Sequence, residues 1–168
     1  MFQVGEYIVY GINGICRVAE IGPSPYDKAD TRLFYLLIPI HNPMGSTIYT
    51  PVDNQRVPMR PLMTREEIDR LVVTIPAQEV LQVPVEKQRR EIYRTVIGEL
   101  RPEGYVQVIK TVRRRRAELT AARKHFPVTD LEYGRLAQHL LSSECAHVLG
   151  ITEAEADAYL SEYFEKAE

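Results

Sequence analysis

The sequence predicts an α+β protein in which a small Tudor-like or SH3-like β-barrel over residues 1–63 precedes an all-α helical domain of four to five helices over residues 64–168. Two observations predict this class. The first sixty or so residues contain short β-branched and aromatic runs without a helical period. From residue 64 onward, apolar residues recur at helical spacing behind residues typical of helix N-termini. The connection around residues 73–86 contains two prolines and is expected to be extended.

Strand-like runs separated by turn residues predict the β-domain. Asn13-Gly14 is a strong hairpin signal between the first two runs, and a tight turn is expected at residues 42–45. Because proline cannot donate to a ladder, Pro51 is expected at an edge, an end or a bulge. Four or five short strands in this length of chain suit a small barrel. The predicted strands span residues 7–10, 15–21, 33–40 and 47–52.

Helix-capping residues predict the boundaries of the helical domain. The pattern Thr-x-x-Glu, which forms a capping box, occurs at residues 64–67, 129–132 and 152–155. Pro102 is expected in the first turn of a helix, where proline is tolerated. Gly150 suits the residue that follows a helix C-terminus.

Charge is distributed unevenly along the chain, although the net charge is only −2. Residues 87–124 hold twelve basic and four acidic side chains, a net charge of +8, whereas residues 125–168 carry −7. The basic segment has two interpretations. Its side chains contact DNA phosphates, which positions a protein without reading bases and makes binding salt-sensitive, or they form a solvated, salt-bridged helical surface.

The basic residues of this segment fall on two predicted helices. A helix near residues 86–100 has Ile92, Val96 and Leu100 as its expected apolar side. On the next helix, the four consecutive arginines at residues 113–116 wrap around the axis, so some of them are expected to pair with acids of the C-terminal segment. The predicted DNA-contacting residues are Lys87, Arg89, Arg90, Arg94, Arg113 and Arg114, of which Lys87, Arg90 and Arg94 share one face at i, i+3 and i+7.

Enzymatic, metal and membrane functions have little support in the sequence. No Gly-rich phosphate loop, G-x-S-x-G, H-E-x-x-H or zinc-ligand spacing occurs, so no catalytic residue, cofactor, metal or small-molecule substrate is predicted. Cys16 and Cys145 are expected to be reduced and buried. No apolar run approaches the ~20 residues of a membrane span, and the N-terminus does not resemble a signal peptide. A cytoplasmic location is therefore expected.

Three segments resemble the CarD-like family of bacterial transcription regulators. Residues 2–10 with Gly14 resemble the family opening F-x-V-G-D-x-V-V-Y…H-G. Residues 49–54 resemble its V-P-V-x-N strand end, and residues 140–151 resemble its L-L-x-x-E-L-A and L-G-I segments. The segments occur in the family's order over nearly the whole chain, which makes the combination more specific than any one of them.

The resemblance implies that the N-terminal domain binds the RNA polymerase β subunit through a sheet edge. It also implies that the helical domain contacts promoter DNA at the upstream edge of the transcription bubble and so stabilises the open complex. Residues 48–52 are the expected edge strand, although internal pairing within a barrel is an alternative. The expected polymerase contacts are Tyr49, Thr50, Pro51, Arg17 and Arg56. The alternative function is an adaptor that binds polymerase or another partner without contacting DNA.

Two positions depart from the family pattern. Many members have a tryptophan wedge at the start of the first long C-terminal helix, whereas this chain contains no tryptophan and has Arg89 there, within a residue. An arginine can enter a narrow minor groove but unstacks bases poorly. Near the start of the next-to-last helix, Glu132 and Tyr133 replace a residue that is basic in many members. These departures predict weaker DNA contact, or contact arranged differently.

Overall fold

The protein consists of two compact units, Met1–Leu62 and Met63–Glu168. The structure is a computed structural model that describes residues 1–41 and 44–166. The first unit contains the strands and the second the helices, so the predicted α+β class is confirmed. The turn predicted at residues 42–45 falls partly on Asn42 and Pro43, which lie outside the described residues.

The first unit is built on an antiparallel sheet. Among the described residues its strands are β1 (Tyr7–Tyr10), β2 (Ile15–Pro23), β3 (Leu33–Pro39), β4 (Ile48–Pro51) and β5 (Met59–Pro61). They lie in the order β4-β3-β2-β1-β5, so β4 and β5 form the two edges. The expected barrel is therefore corrected to a five-stranded sheet that its hydrogen bonds do not close.

A hairpin joins β1 to β2, as Asn13-Gly14 predicts. Val9 pairs with Ile15 across it, and a 3-10 turn occupies Gly11–Asn13. Gly14 has a φ of 71°, in the left-handed region that favours glycine. A backbone conformation that other residues rarely adopt therefore places the turn at this glycine.

One face of the sheet forms the core of the first unit. A β-bulge in β2, between Val18 and Glu20, changes the alternation of side chains. Val18 pairs with Leu37 before the bulge and Ile21 pairs with Tyr35 after it, so both stay on the inner face. The buried core residues are Ile8, Tyr10, Cys16, Val18, Tyr35 and Leu37.

The second unit holds five α-helices within its described residues, in agreement with the predicted four to five. These are α1 (Arg65–Thr74), α2 (Arg89–Gly98), α3 (Pro102–Ala121), α4 (Val128–Leu149) and α5 (Glu153–Glu165). Two 3-10 turns, Ile75–Ala77 and Glu86–Gln88, flank the connection that was expected to be extended. The apolar sides of the α-helices meet in one core that includes Ile68, Tyr93, Ile97, Tyr105 and Leu141.

Two of the three predicted helix caps form. Thr64 and Glu67 make a full capping box at α1, and the Thr152 hydroxyl accepts a hydrogen bond from the backbone N–H of Glu155 at α5. The prediction for residues 129–132 is wrong. The helix begins two residues earlier, with Pro127 as its N-cap residue: Pro127 is extended, and its carbonyl accepts a hydrogen bond from the N–H of Leu131 at 3.2 Å.

Glu144 and Cys145 are adjacent buried residues of the second unit. The carboxylate of Glu144, on α4, accepts a hydrogen bond from the backbone N–H of Met63 at 2.7 Å, which ties the first residue of this unit to its longest helix. Burial raises the pKa of the Cys145 thiol to about 12, just as it raises that of Cys16 in the first unit to about 11. Both cysteines are free and buried, as predicted.

Within the described residues, none of the helices is long and apolar enough to cross a membrane. The same part of the chain brings together no group of three or more His, Cys, Asp or Glu side chains that could hold a metal ion.

Candidate functional site

The backbone of β4 is open along one side. Among the described residues, β4 pairs with β3 alone, so the predicted edge strand is confirmed over Ile48–Pro51. The N–H of Val52 donates to the carbonyl of Leu33 at 2.9 Å. Along an antiparallel edge strand, the backbone N–H and C=O groups of alternate residues point toward the neighbouring strand and away from it. Thr50 and Ile48 therefore also direct their backbone N–H and C=O groups toward β3. Tyr49 therefore directs its N–H and carbonyl away from the sheet.

Proline limits the open edge at its C-terminal end. Pro51 has the same outward orientation as Tyr49, but it has no N–H to donate. Its carbonyl accepts a hydrogen bond from the N–H of Asn54 at 3.0 Å in the following turn. Within β4, Tyr49 is thus the residue that offers both a donor and an acceptor to another strand.

The predicted polymerase contacts on β4 lie on two faces of the sheet. The side chain of Thr50 is only 1% exposed, and its hydroxyl accepts from the side-chain amide of Asn54 at 2.8 Å. Thr50 can therefore offer a partner little through its side chain. Tyr49 is 36% exposed, and it lies with Pro51 on the outer face, where it pairs with Leu36 of β3.

The two predicted arginine contacts lie in different parts of the first unit. Arg17 lies on β2, where it pairs with Ile38, so β3 separates it from the open edge of β4. Arg56 is exposed in the turn after β4, and its backbone N–H donates to the side chain of Asn54 at 2.7 Å. Arg56 is thus closer along the chain to the β4 edge, whereas Arg17 belongs to the middle of the outer face.

A tyrosine that the sequence did not single out lies against the β4 edge. The ring of Tyr26, in the loop between β2 and β3, meets the ring of Tyr49 edge to face, with centroids 5.6 Å apart. Tyr26 is 81% exposed. No periodicity marks this residue, because it lies in a polar loop and the contact joins residues 23 positions apart.

Three basic residues at the start of α2 are open to solvent. Lys87 is exposed. The side chain of Arg90 is 51% exposed and pairs with Glu132 at 3.3 Å. That of Arg94 is 64% exposed and pairs with Glu91 at 3.5 Å.

Tyr133 of α4 orients two of these cations. The guanidinium of Arg90 lies over the Tyr133 ring, 5.7 Å from its centroid. A hydrogen bond to Tyr133, followed by the charge of Glu91, raises the pKa of Arg94. The family departure at Glu132 and Tyr133 therefore holds Arg90 and Arg94 in place while leaving more than half of each side chain exposed.

Arg89 has a different environment from its neighbours. It lies on the buried stripe of α2 with Tyr93 and Ile97. The expected apolar stripe of Ile92, Val96 and Leu100 is thus corrected: Tyr93 and Ile97 are buried in place of Ile92 and Val96, and Leu100 is buried as expected. Only 11% of the Arg89 side chain is exposed, so its predicted DNA contact does not fit this placement.

A hydrogen-bond network takes up the guanidinium of Arg89. It donates to both carboxylate oxygens of Glu86, at 2.7 and 3.0 Å, and to the Tyr93 hydroxyl at 3.0 Å. Tyr93 in turn donates to Asp130 at 2.7 Å. Arg115 donates to Asp130 at 3.0 Å and to Glu86 at 3.1 and 3.2 Å. The network joins the start of α2 to α3 and α4.

The charged state of this network follows from its contacts. Hydrogen bonds from Arg89 are the main cause that lowers the pKa of Glu86, and the same pair raises the pKa of Arg89. Burial, then donation to Asp130, raises the pKa of Tyr93 to about 12. At neutral pH the network therefore consists of charged Arg89 and Glu86 around a neutral tyrosine hydroxyl.

Each of the four consecutive arginines of α3 has its own neighbour. Arg113 lies over the ring of Phe164, 5.6 Å from its centroid, and Arg116 lies 4.4 Å from that of Phe126. Arg114 pairs with Glu118 at 3.3 Å, and Arg115 belongs to the network above. The pairing of Arg115 with Asp130 confirms that part of this run pairs with acids of the C-terminal segment.

Comparison with known families agrees with the geometry of the first unit. Residues 2–63 match the family model described as the CarD-like/TRCF RID domain. The N-terminal unit is thus similar to the CarD-like/TRCF RID domain. The family assignment made from the sequence is confirmed over this range, and the open edge of β4 lies within it. No curated protein matches the chain significantly.

Proposed function

We propose that this protein is a non-enzymatic, cytoplasmic transcription regulator that binds the RNA polymerase β subunit and contacts promoter DNA, thereby modulating the stability of the open complex. The observation that carries the proposal is the open edge of β4 within a CarD-like/TRCF RID domain. An edge strand can extend a partner's sheet through main-chain hydrogen bonds. Tyr49 and Pro51 form the outward side of this edge, and Thr50 holds the strand in place through its backbone pairing with β3. Arg56 and Arg17 add polar contacts farther from the edge.

The exposed cations of α2 are the proposed DNA contacts. Lys87, Arg90 and Arg94 offer positive charge to phosphates without sequence preference. Arg113 and Arg114 of α3 are secondary candidates. Once polymerase holds the protein, the local DNA concentration is high, so weak contacts are sufficient. A preference for melted over closed promoter shifts that equilibrium by the difference in affinity, on the order of 1–3 kcal/mol.

Capture of polymerase by the full chain tests the first half of the proposal. Immobilised wild-type protein is expected to retain core RNA polymerase through its β subunit. Replacing Tyr49 with proline removes the outward N–H and the ring, and Tyr49→Ala removes the ring alone. We expect Tyr49→Pro to bind least and Tyr49→Ala to be intermediate. The exposed Gln55→Ala variant is the control, and a wild-type protein that captures no polymerase would falsify the proposal.

The adaptor alternative is supported by one observation. Arg89, at the position of the family's tryptophan, is buried in an internal network, so α2 presents no wedge at that position. Open-complex lifetime on a promoter separates the two functions. If it is unchanged when Arg90 and Arg94 are replaced by glutamate while polymerase binding persists, the adaptor function stands and the DNA contact does not.

A further inference from the structure

The loop between β2 and β3 places an aromatic ring at the open edge of the sheet. Tyr26 and Tyr49 are in edge-to-face contact, and Tyr26 is the more exposed of the two. Edge-to-face aromatic pairs contribute about 0.5–1.5 kcal/mol beyond the area they bury. An exposed tyrosine in this position does not belong to the core of the first unit.

Local hydrogen bonds hold the loop that carries Tyr26. The Ser24 hydroxyl accepts from the backbone N–H groups of Tyr26 and Asp27, at 3.2 and 3.1 Å. The Asp27 carboxylate then accepts from the N–H of Ala29 at 2.9 Å. Such side-chain turns restrict the backbone. When a partner binds at Tyr26, this loop therefore loses less conformational entropy than an unrestrained loop would.

The hydrogen bonds available to a docked strand are few. Within β4, Pro51 lacks an N–H and its carbonyl is already bonded to Asn54, which leaves Tyr49 as the residue that can both donate and accept. A ladder this short contributes little to selectivity. Side-chain contacts next to Tyr49 must therefore decide which strand binds.

The face beside this edge is lined by apolar side chains, and the guanidinium of Arg32 lies over one of them, 5.6 Å from the centroid of the Phe34 ring. Phe34, Leu36 and Pro51 are half-buried on the same face as Tyr49, because Phe34 pairs with Pro51 and Leu36 with Tyr49. A strand added beside β4 places alternate side chains on this face. The residue opposite Tyr49 would lie next to its ring and within reach of Tyr26.

We propose that Tyr26 is a second aromatic anchor for the polymerase strand that docks on β4, and that the Tyr26–Tyr49 pair selects a strand with an apolar side chain opposite Tyr49. This inference rests on the proposed function, since the strand belongs to the polymerase. It assigns specificity to a loop residue outside the sheet.

Equilibrium binding of the full chain to purified core RNA polymerase tests the inference. Tyr26→Ala is expected to weaken binding about tenfold, the scale of an interface hot spot, while Tyr26→Phe keeps the ring and binds within about twofold of wild type. Lys28→Ala, an exposed change in the same loop, is the matched control and should leave binding unchanged. Because Tyr26 is outside the core, Tyr26→Ala should lose no more stability than the edge-to-face pair contributes, about 0.5–1.5 kcal/mol, and thermal unfolding should show that each variant is folded at the temperature of the binding measurement.

The outcomes separate this inference from the proposal on which it rests. If Tyr26→Ala binds as wild type does while Tyr49→Ala is weakened, the second anchor is refuted and the docking edge stands. If the wild type itself does not bind core polymerase, the proposed function fails, and this inference fails with it.

Discussion

The basic residues of α2 and the arginines of α3 belong to the same +8 segment, yet the fold uses them differently. On α2, Arg90 and Arg94 keep more than half of their side chains exposed. On α3 the exposure differs from one arginine to the next: Arg115 is 22% exposed and bonded to two carboxylates, whereas Arg114 is 66% exposed. The charge of a segment therefore does not locate a nucleic-acid surface.

Asp130→Ala should have the largest effect on this comparison. Asp130 is fully buried and accepts from Tyr93 and from Arg115. Removing one partner of a buried ion pair leaves the other charge uncompensated, so the free energy of unfolding should fall by about 3–5 kcal/mol. Urea denaturation measures it. The control is Glu132→Ala on the same helix, whose exposed pair with Arg90 should change stability by no more than about 1 kcal/mol.

Two adjacent arginines of α3 should differ next. Arg115→Ala removes the hydrogen bonds to Asp130 and Glu86 and should lower the free energy of unfolding by about 2–3 kcal/mol. Arg114, with a side chain that is 66% exposed, should lose at most about 1 kcal/mol on replacement by alanine. Equal losses for the two variants in urea would contradict the distinction between paired and solvent-exposed arginines.

Charge reversal on α2 should weaken DNA binding without unfolding the protein. Arg90→Glu with Arg94→Glu is expected to reduce affinity for a promoter fragment, in the presence of polymerase, by about tenfold at moderate salt and to flatten the salt dependence. The matched double variant Arg113→Glu with Arg114→Glu should have a smaller effect. A larger effect from the α3 variant, measured as open-complex lifetime against salt, would place the DNA surface on α3 instead.

The pH dependence of stability should show the smallest effect. The folded-state pKa of Glu86 is lowered from 4.5, chiefly by its hydrogen bonds from Arg89. A carboxylate with a lowered pKa stabilises the fold above its unfolded pKa, and this contribution is lost as the pH falls through the folded value. Glu86→Gln should thus lose less stability than wild type below about pH 4.5. Urea titrations at pH 6 and pH 3.5 measure the free energy of unfolding of both proteins. An equal loss of this free energy between the two pH values in wild type and variant would refute this contribution.

The sequence predicted the parts of the fold that local chemistry controls. Pro51 indicated an edge strand, Gly14 a hairpin and Thr64 a capped helix, because each constrains the backbone of its own neighbours. The four arginines were also expected to point in different directions. Their individual partners, such as Phe126 for Arg116, depend on how distant segments pack.

The errors have an equally specific origin. Either Ile92 with Val96 or Tyr93 with Ile97 could form the buried stripe of α2, and a difference of one residue decides whether Arg89 lies outside or inside. The carboxylate of Asp130, which lies 4.0 Å from the Arg89 guanidinium, is 41 positions away along the chain, and periodicity cannot reveal this contact. Tyr26 was missed for the same reason, since nothing in the β2–β3 loop indicates that its ring meets the edge strand.

Lys110 of α3 bonds to the backbone of the segment that joins α1 to α2. Its ammonium donates to the carbonyls of Ile75, Pro76 and Gln78, and burial lowers its pKa. The neighbouring Thr111 hydroxyl accepts from the N–H of Leu81 at 2.9 Å. The 3-10 turn after α1 and the irregular stretch that follows it are thereby held to α3 at several points. The backbone of this segment therefore takes its conformation from side chains of α3 as well as from its own local hydrogen bonds.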